Sequence, residues 1–122
     1  TGLKSYGAAK TAQLLTMRKF DELFTDSSVT INAVHPGNVK SNMGNTNGKL
    51  YRMMKEKFIL PSARETEIAA QALYYLAASD EVAGVSGKFF HLTTEEKPAP
   101  HARDYSRVEP VWKKSLELCR LI

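Results

Sequence analysis

The chain has 122 residues, 43% hydrophobic and 25% charged. These are ordinary globular proportions, and the length leaves no room for separate cofactor and substrate domains. Seventeen Lys and Arg against thirteen Asp and Glu give a net charge of +4, dispersed along the chain rather than gathered in a block, so nucleic acid is not an expected partner. The single cysteine, Cys119, excludes an internal disulfide and a zinc site built on paired cysteines, and it points to a reducing, cytoplasmic compartment. No run approaches the ~18 apolar residues of a membrane span and no signal sequence opens the chain, so this segment is expected to make no membrane contact.

From Leu3 to Phe24 there is no proline. Gly7, Ala8, Ala9 and Ala12 crowd the first turns, and Met17, Phe20, Leu23 and Phe24 recur at helical spacing, which predicts a helix. Asp26-Ser27-Ser28 breaks it. Val29 to Val34 is a short β-branched run that stops at Pro36-Gly37, the pattern of a strand ending in a turn. Its apolar residues do not alternate strictly, as suits a parallel strand covered on both faces. Asn38 to Gly48 reads as a loop, and Lys49 to Phe58 as a short basic helical piece. Ser62-Ala63-Arg64-Glu65 has the form of a capping box after Pro61; it opens a helix that lines up Ile68, Ala72, Tyr75 and Leu76 and runs to about Ala78. Val82 to Gly87 makes a turn into a second strand, Lys88 to Leu92. Thr93 to Arg103, with Pro98 and Pro100, reads as an ordered loop or arm. A last helix spans about Glu109 to Leu121, with Pro110 in its first turn and Val111, Trp112, Leu116 and Leu118 for burial.

Helix, strand, helix, strand, helix is the alternation of an α/β fold with a parallel sheet. Two strands cannot screen three helices from water, so the sequence reads as the end of a larger fold. The start at Thr1 rather than Met accords with initiator removal, a processed product or a piece of a longer chain.

Tyr6 and Lys10 stand at i and i+4 on one helix face, with Cβ atoms about 5–6 Å apart. A cation held beside a phenol favours the phenolate, and a phenol so placed can exchange protons in carbonyl reduction or alcohol oxidation. Only small residues separate the two. Tyr51 and Lys55 repeat the spacing across Arg52, Met53 and Met54 and read as an exposed coincidence. One helix after Tyr6, the strand ends in Val34-His35-Pro36-Gly37, and the carboxyl ends of strands are where open α/β sheets bind ligands. His35, His91 and His101 lack the i, i+4 spacing of helical metal ligands, so no metal site is expected, and His35 reads as a packed residue. Cys119 reads as an inert, half-buried thiol, and Asp80-Glu81 and Glu95-Glu96 as solvated loop charges. Met53 and Met54 suit an apolar substrate entrance or ordinary core filling.

Together these segments resemble the short-chain dehydrogenase/reductases, and within them the retinol-dehydrogenase-like branch. Tyr6-Gly7-Ala8-Ala9-Lys10 is similar to the family's catalytic Tyr-x-x-x-Lys. Val34 to Ser41 is similar to its Pro-Gly segment, where a Thr or Ser follows at this interval; Ser86 to Phe90 and the Trp112 helix extend the likeness over nearly the whole chain. The resemblance implies a Rossmann-type fold of doubly wound parallel sheet, with residues 1–122 as the C-terminal half of a single domain. It implies NAD or NADP as cofactor, and Tyr6 as the proton donor or acceptor. Lys10 would hold the nicotinamide ribose and favour the phenolate. Pro36, Gly37, Val39 and Ser41 would border the nicotinamide, and Asn42 to Leu60 would form the substrate lid. The substrate would be a small alcohol or carbonyl compound, apolar if Met53, Met54, Phe58 and Ile59 face it.

The departures are equally definite. No G-x-G-x-x-G occurs, so the pyrophosphate-binding half of such a fold is missing. The family's catalytic serine and asparagine would fall before Thr1, and Ser5, one residue from Tyr6, points to a different helix face. The expectation is therefore an oxidoreductase of which this chain is a part, inactive by itself. The alternative is an inactive piece that packs against another chain, and the resemblance implies that the Leu3–Phe24 helix makes subunit contacts in a homo-oligomer.

Overall fold

The computed structural model describes residues 2–40 and 48–122. Helix α1 (Gly2–Leu23) forms where the apolar spacing predicts it. Hydroxyls serve the carbonyls at its end: Thr25 Oγ1 donates to Asp21 O at 3.2 Å and Ser27 Oγ to Phe24 O at 2.8 Å. Strand β1 (Ala33–His35) is later and shorter than the Val29–Val34 run. The residues before it are held by side chains instead of a ladder. Asn32 Nδ2 donates to Val85 O at 2.7 Å, Asn32 Oδ1 accepts from Lys88 N at 3.0 Å, and Ile31 N donates to Ser86 Oγ at 3.1 Å. An Asn that bonds a neighbouring backbone on both sides competes with regular pairing, and the strand begins only beyond it.

Strand β2 (Phe89–His91) lies beside β1. Ala33 N donates to Lys88 O and Leu92 N to His35 O, bonds that ascend along both strands, so the pair is parallel as predicted. After the two residues Leu92-Thr93 the chain returns as β3 (Thr94–Glu96), antiparallel to β2, and completes a mixed sheet of order β1-β2-β3. The third strand corrects the reading of this stretch as a loop or arm. All three of its residues are exposed, so it carries no apolar alternation, and Lys88 bonds Glu95 across it at 3.2 Å.

The chain divides into two compact units. The first comprises Thr1–Ala33, Gly84–Phe89 and Glu95–Ile122. Leu15, Met17, Ala102 and Val108 are buried there. Helix α4 (Val108–Leu118), with Pro110 in its first turn as predicted, packs on α1. Phe20 meets Trp112 edge to face at 5.0 Å, and Lys19 Nζ reaches Glu109 Oε2 at 2.8 Å. Leu118, expected to be buried, is 74% exposed, and the buried end of the helix is Val108. Val111 and Leu118 share a side one heptad apart, and the apolar cover of that side stops before the last turn. Cys119 follows it into solvent and is exposed rather than half-buried.

The second unit comprises Val34–Ala83 and Phe90–Thr94, with Ala72, Val82 and Phe90 buried. Helix α2 (Lys49–Met54) continues into a π-helical turn, Lys55–Ile59, and a 3-10 turn, Leu60–Ser62. Lys55 is only 7% exposed and Tyr51 is half-buried, so this second Tyr-x-x-x-Lys is not the exposed pair the sequence suggested. Helix α3 (Thr66–Ala78) ends where expected but starts after the capping box. Ser62 Oγ donates to Ile59 O at 3.0 Å and accepts from Asn38 Nδ2, while Glu65 pairs with Lys40, so both members of the box are engaged elsewhere. Ile68, Ala72, Tyr75 and Leu76 form the covered side of α3, as its spacing predicts. Among the described residues no helix is long and apolar enough to cross a membrane.

Candidate active site

Tyr6 and Lys10 lie in the first unit, on the opening turns of α1, where residues 2–10 are all exposed. Helical spacing brings them together: Lys10 Nζ lies over the Tyr6 ring, 5.7 Å from its centroid, and Tyr6 is 49% exposed. A phenol and an ammonium are thus offered side by side to solvent. The Ser5 hydroxyl turns back to donate to Gly2 O at 3.0 Å, in line with its predicted separation from the phenol. Along the adjacent side of α1 runs an open cleft of ≈ 500 Å³, floored by Leu3, Gly7, Ala8, Leu15 and Val111; Tyr6 and Lys10 are not in its lining.

Pro36, Gly37 and Val39 lie in the second unit, on the turn that leaves β1. Gly37 has φ +75, and a Cβ there would come within 3.3 Å of His91 Nε2. The position therefore needs glycine for its backbone conformation and for space. His35 is exposed, not enclosed, and its ring stacks on His91 at 5.5 Å between centroids, 25° from parallel. Beyond the turn, Val39 forms a parallel bridge with Arg64: Arg64 N donates to Asn38 O at 2.8 Å and Lys40 N to Arg64 O at 2.9 Å. The Asn38 side chain braces the loop further by donating to Ile59 O at 3.2 Å. Ser41 lies outside the described residues, as do residues 42–47 of the expected lid. Within the rest of that lid Met53, Met54 and Phe58 are exposed and Ile59 is half-buried.

Asn38 and Arg64 bond this turn, and His91 Nε2 lies 3.3 Å from where a Gly37 Cβ would stand; none of the three is a site candidate by sequence. Asn38 carried a signal, since Asn directly after Pro-Gly is a turn former with a side chain able to bond nearby backbone. Arg64 and His91 carried none, because their contacts with the turn are made far along the chain.

Displaced acidities occur in ion pairs and hydrogen bonds away from these residues. The pKa of the Lys19 ammonium is raised by its hydrogen bond to Glu109, and that of the Tyr75 hydroxyl by donating to Glu81. The Asp104 carboxyl is lowered by the Ser106 hydroxyl and then by Arg107. Among the described residues no group of three or more His, Cys, Asp and Glu could hold a metal ion. A nicotinamide dinucleotide is matched at one end only. The accessible Tyr6 phenol and Lys10 ammonium are donors suited to a sugar diol, whereas the sequence has no glycine-rich turn for the pyrophosphate.

No family model matches the chain. Curated proteins do. Human retinol dehydrogenase 13 is 31% identical over 121 residues, covering 96% of this chain and 37% of that protein. Human retinol dehydrogenase 14 is 36% identical over 110 residues, covering 88% and 32%. The chloroplastic short-chain dehydrogenase TIC 32 B of Brassica napus is 29% identical over 118 residues, covering 94% and 36%. The chain spans about a third of the length of these relatives. The likeness covers 88–96% of the chain, and by it the chain belongs, as a segment, to the short-chain dehydrogenase/reductase family in its retinol-dehydrogenase-like branch.

Proposed function

We propose that this chain is the nicotinamide-facing and substrate-facing part of a longer NAD- or NADP-dependent oxidoreductase, the C-terminal half of one doubly wound Rossmann-type domain. The observation that carries the reading is the Lys10 ammonium lying over a half-exposed Tyr6 ring. The dinucleotide, when bound, supplies the site that gives or takes a hydride at an alcohol or carbonyl carbon. Tyr6 gives its hydroxyl proton to the carbonyl oxygen, or takes one from the alcohol, and Lys10 offers the counter-charge for the phenolate and a donor to the ribose. Pro36, Gly37, Val39 and Ser41 border the nicotinamide. The exposed Met53, Met54 and Phe58 support an apolar substrate, as do the relatives named for retinol.

In the complete protein, Tyr6→Phe is expected to lower turnover at least ~100-fold while the dinucleotide dissociation constant stays within about threefold. Steady-state kinetics and a binding titration check it, and retained turnover would remove Tyr6 from the chemistry. A second reading, an inactive piece that packs on another chain, is favoured by the apolar cleft along α1 and by Leu3, 88% exposed. The natural protein's length and its dinucleotide affinity separate the two. A protein of only these residues that binds no dinucleotide supports the second, and a longer one that binds supports the first.

A further inference from the structure

We propose that His91 is the positioning residue of the Pro36–Gly37 turn, its imidazole setting how far the turn's backbone stands from the sheet and hence where the nicotinamide rests. This deepens the functional reading above and rests on it. Three observations in the second unit carry it. The backbone of Gly37 is left-handed at φ +75, and the nearest atom to a Cβ placed there is His91 Nε2 at 3.3 Å. The His91 ring therefore stands close against the side of the turn from which a side chain at position 37 would project. The His35 ring stacks on it at 5.5 Å and 25°, so the imidazole also meets the last residue of β1, next to the turn that follows. Both rings stand on paired strands: Leu92 N, next to His91, donates to His35 O at 3.0 Å, which ties the support to the sheet rather than to a loop. A flat ring on a strand is a stiff spacer, because few rotamers are open to it and its backbone is already bonded. A ligand laid against Gly37 then meets a backbone that cannot sink.

The test uses the complete protein and three variants: His91→Ala, which removes the ring, His91→Phe, which keeps a flat ring of similar height, and Tyr6→Phe. Dinucleotide affinity by calorimetry, melting temperature and steady-state kinetics are measured for each. His91→Ala is expected to weaken dinucleotide binding about tenfold and raise its KM in step, with kcat at saturation changed less than threefold. His91→Phe is expected to restore affinity to within threefold. Affinity unchanged in His91→Ala overturns the proposal. So does equal loss in both variants, which would place the effect on an imidazole hydrogen bond, or a loss matched by unfolding at the assay temperature. The Tyr6→Phe arm keeps the two readings apart. If it retains full turnover the catalytic assignment fails, while the affinity change in His91→Ala still reports on the turn; if the complete protein binds no dinucleotide, both fall together.

Discussion

Gly87 shows how one position is settled by neighbours from distant parts of the chain. Its φ is +69, and a Cβ placed there would fall against the Asp21 carboxylate, 2.7 Å from Cγ, and 2.8 Å from Arg18 Nη1, the same nitrogen that donates to Gly87 O at 3.0 Å. Gly87→Ala therefore imposes a strained backbone and displaces the guanidinium from its carbonyl. We expect a loss of about 1–3 kcal/mol, read as a lower urea midpoint with an unchanged slope. Tyr6 and Lys10 are the opposite case, since i, i+4 spacing on one helix is enough to bring them together and the contact is implicit in the sequence. Asn32 lies between. Its type is a known competitor for backbone bonds, but which backbone it would take, that of residues 85–88, depends on a segment more than 50 residues away.

Elements were legible in proportion to their length and amphipathicity. The 22-residue α1 and the covered side of α3 follow from apolar spacing alone. The strands, three residues each, hold too little pattern for their ends to be found, and exposed β3 holds none. The capping box at Ser62 shows why a local motif can mislead: its hydroxyl and carboxylate were taken by Ile59, Asn38 and Lys40, two of them distant in sequence. Packing between helices is the element-level force that can be measured. Trp112 on α4 meets Phe20 on α1 edge to face, and both are half-buried. Trp112→Ala is expected to cost about 2–4 kcal/mol, from lost apolar contact and the aromatic pair, with Trp112→Phe recovering about half. Thermal and urea denaturation check it, and equal losses in the two variants would show that the indole ring as such is needed.

At the scale of the whole chain, the question is how a dinucleotide's phosphates would be held. No G-x-G-x-x-G is present, so the 122 residues by themselves are expected to show no dinucleotide binding at micromolar cofactor, and under the proposed function the complete protein is expected to bind it. Calorimetry on both settles this, and micromolar binding by the segment would show that a phosphate site exists without the glycine-rich turn. By itself the sequence determined the α/β alternation, the long first helix, the juxtaposition of Tyr6 with Lys10 and the likeness to a family, because each depends on residues close together or on spacing repeated along one element. Only the tertiary structure decided where β1 begins, that a third strand exists, that Lys55 is buried, and that His91 Nε2 comes near the Cβ side of Gly37. Each of these is an outcome of competition between partners far apart in the chain, and such a competition has no local signature.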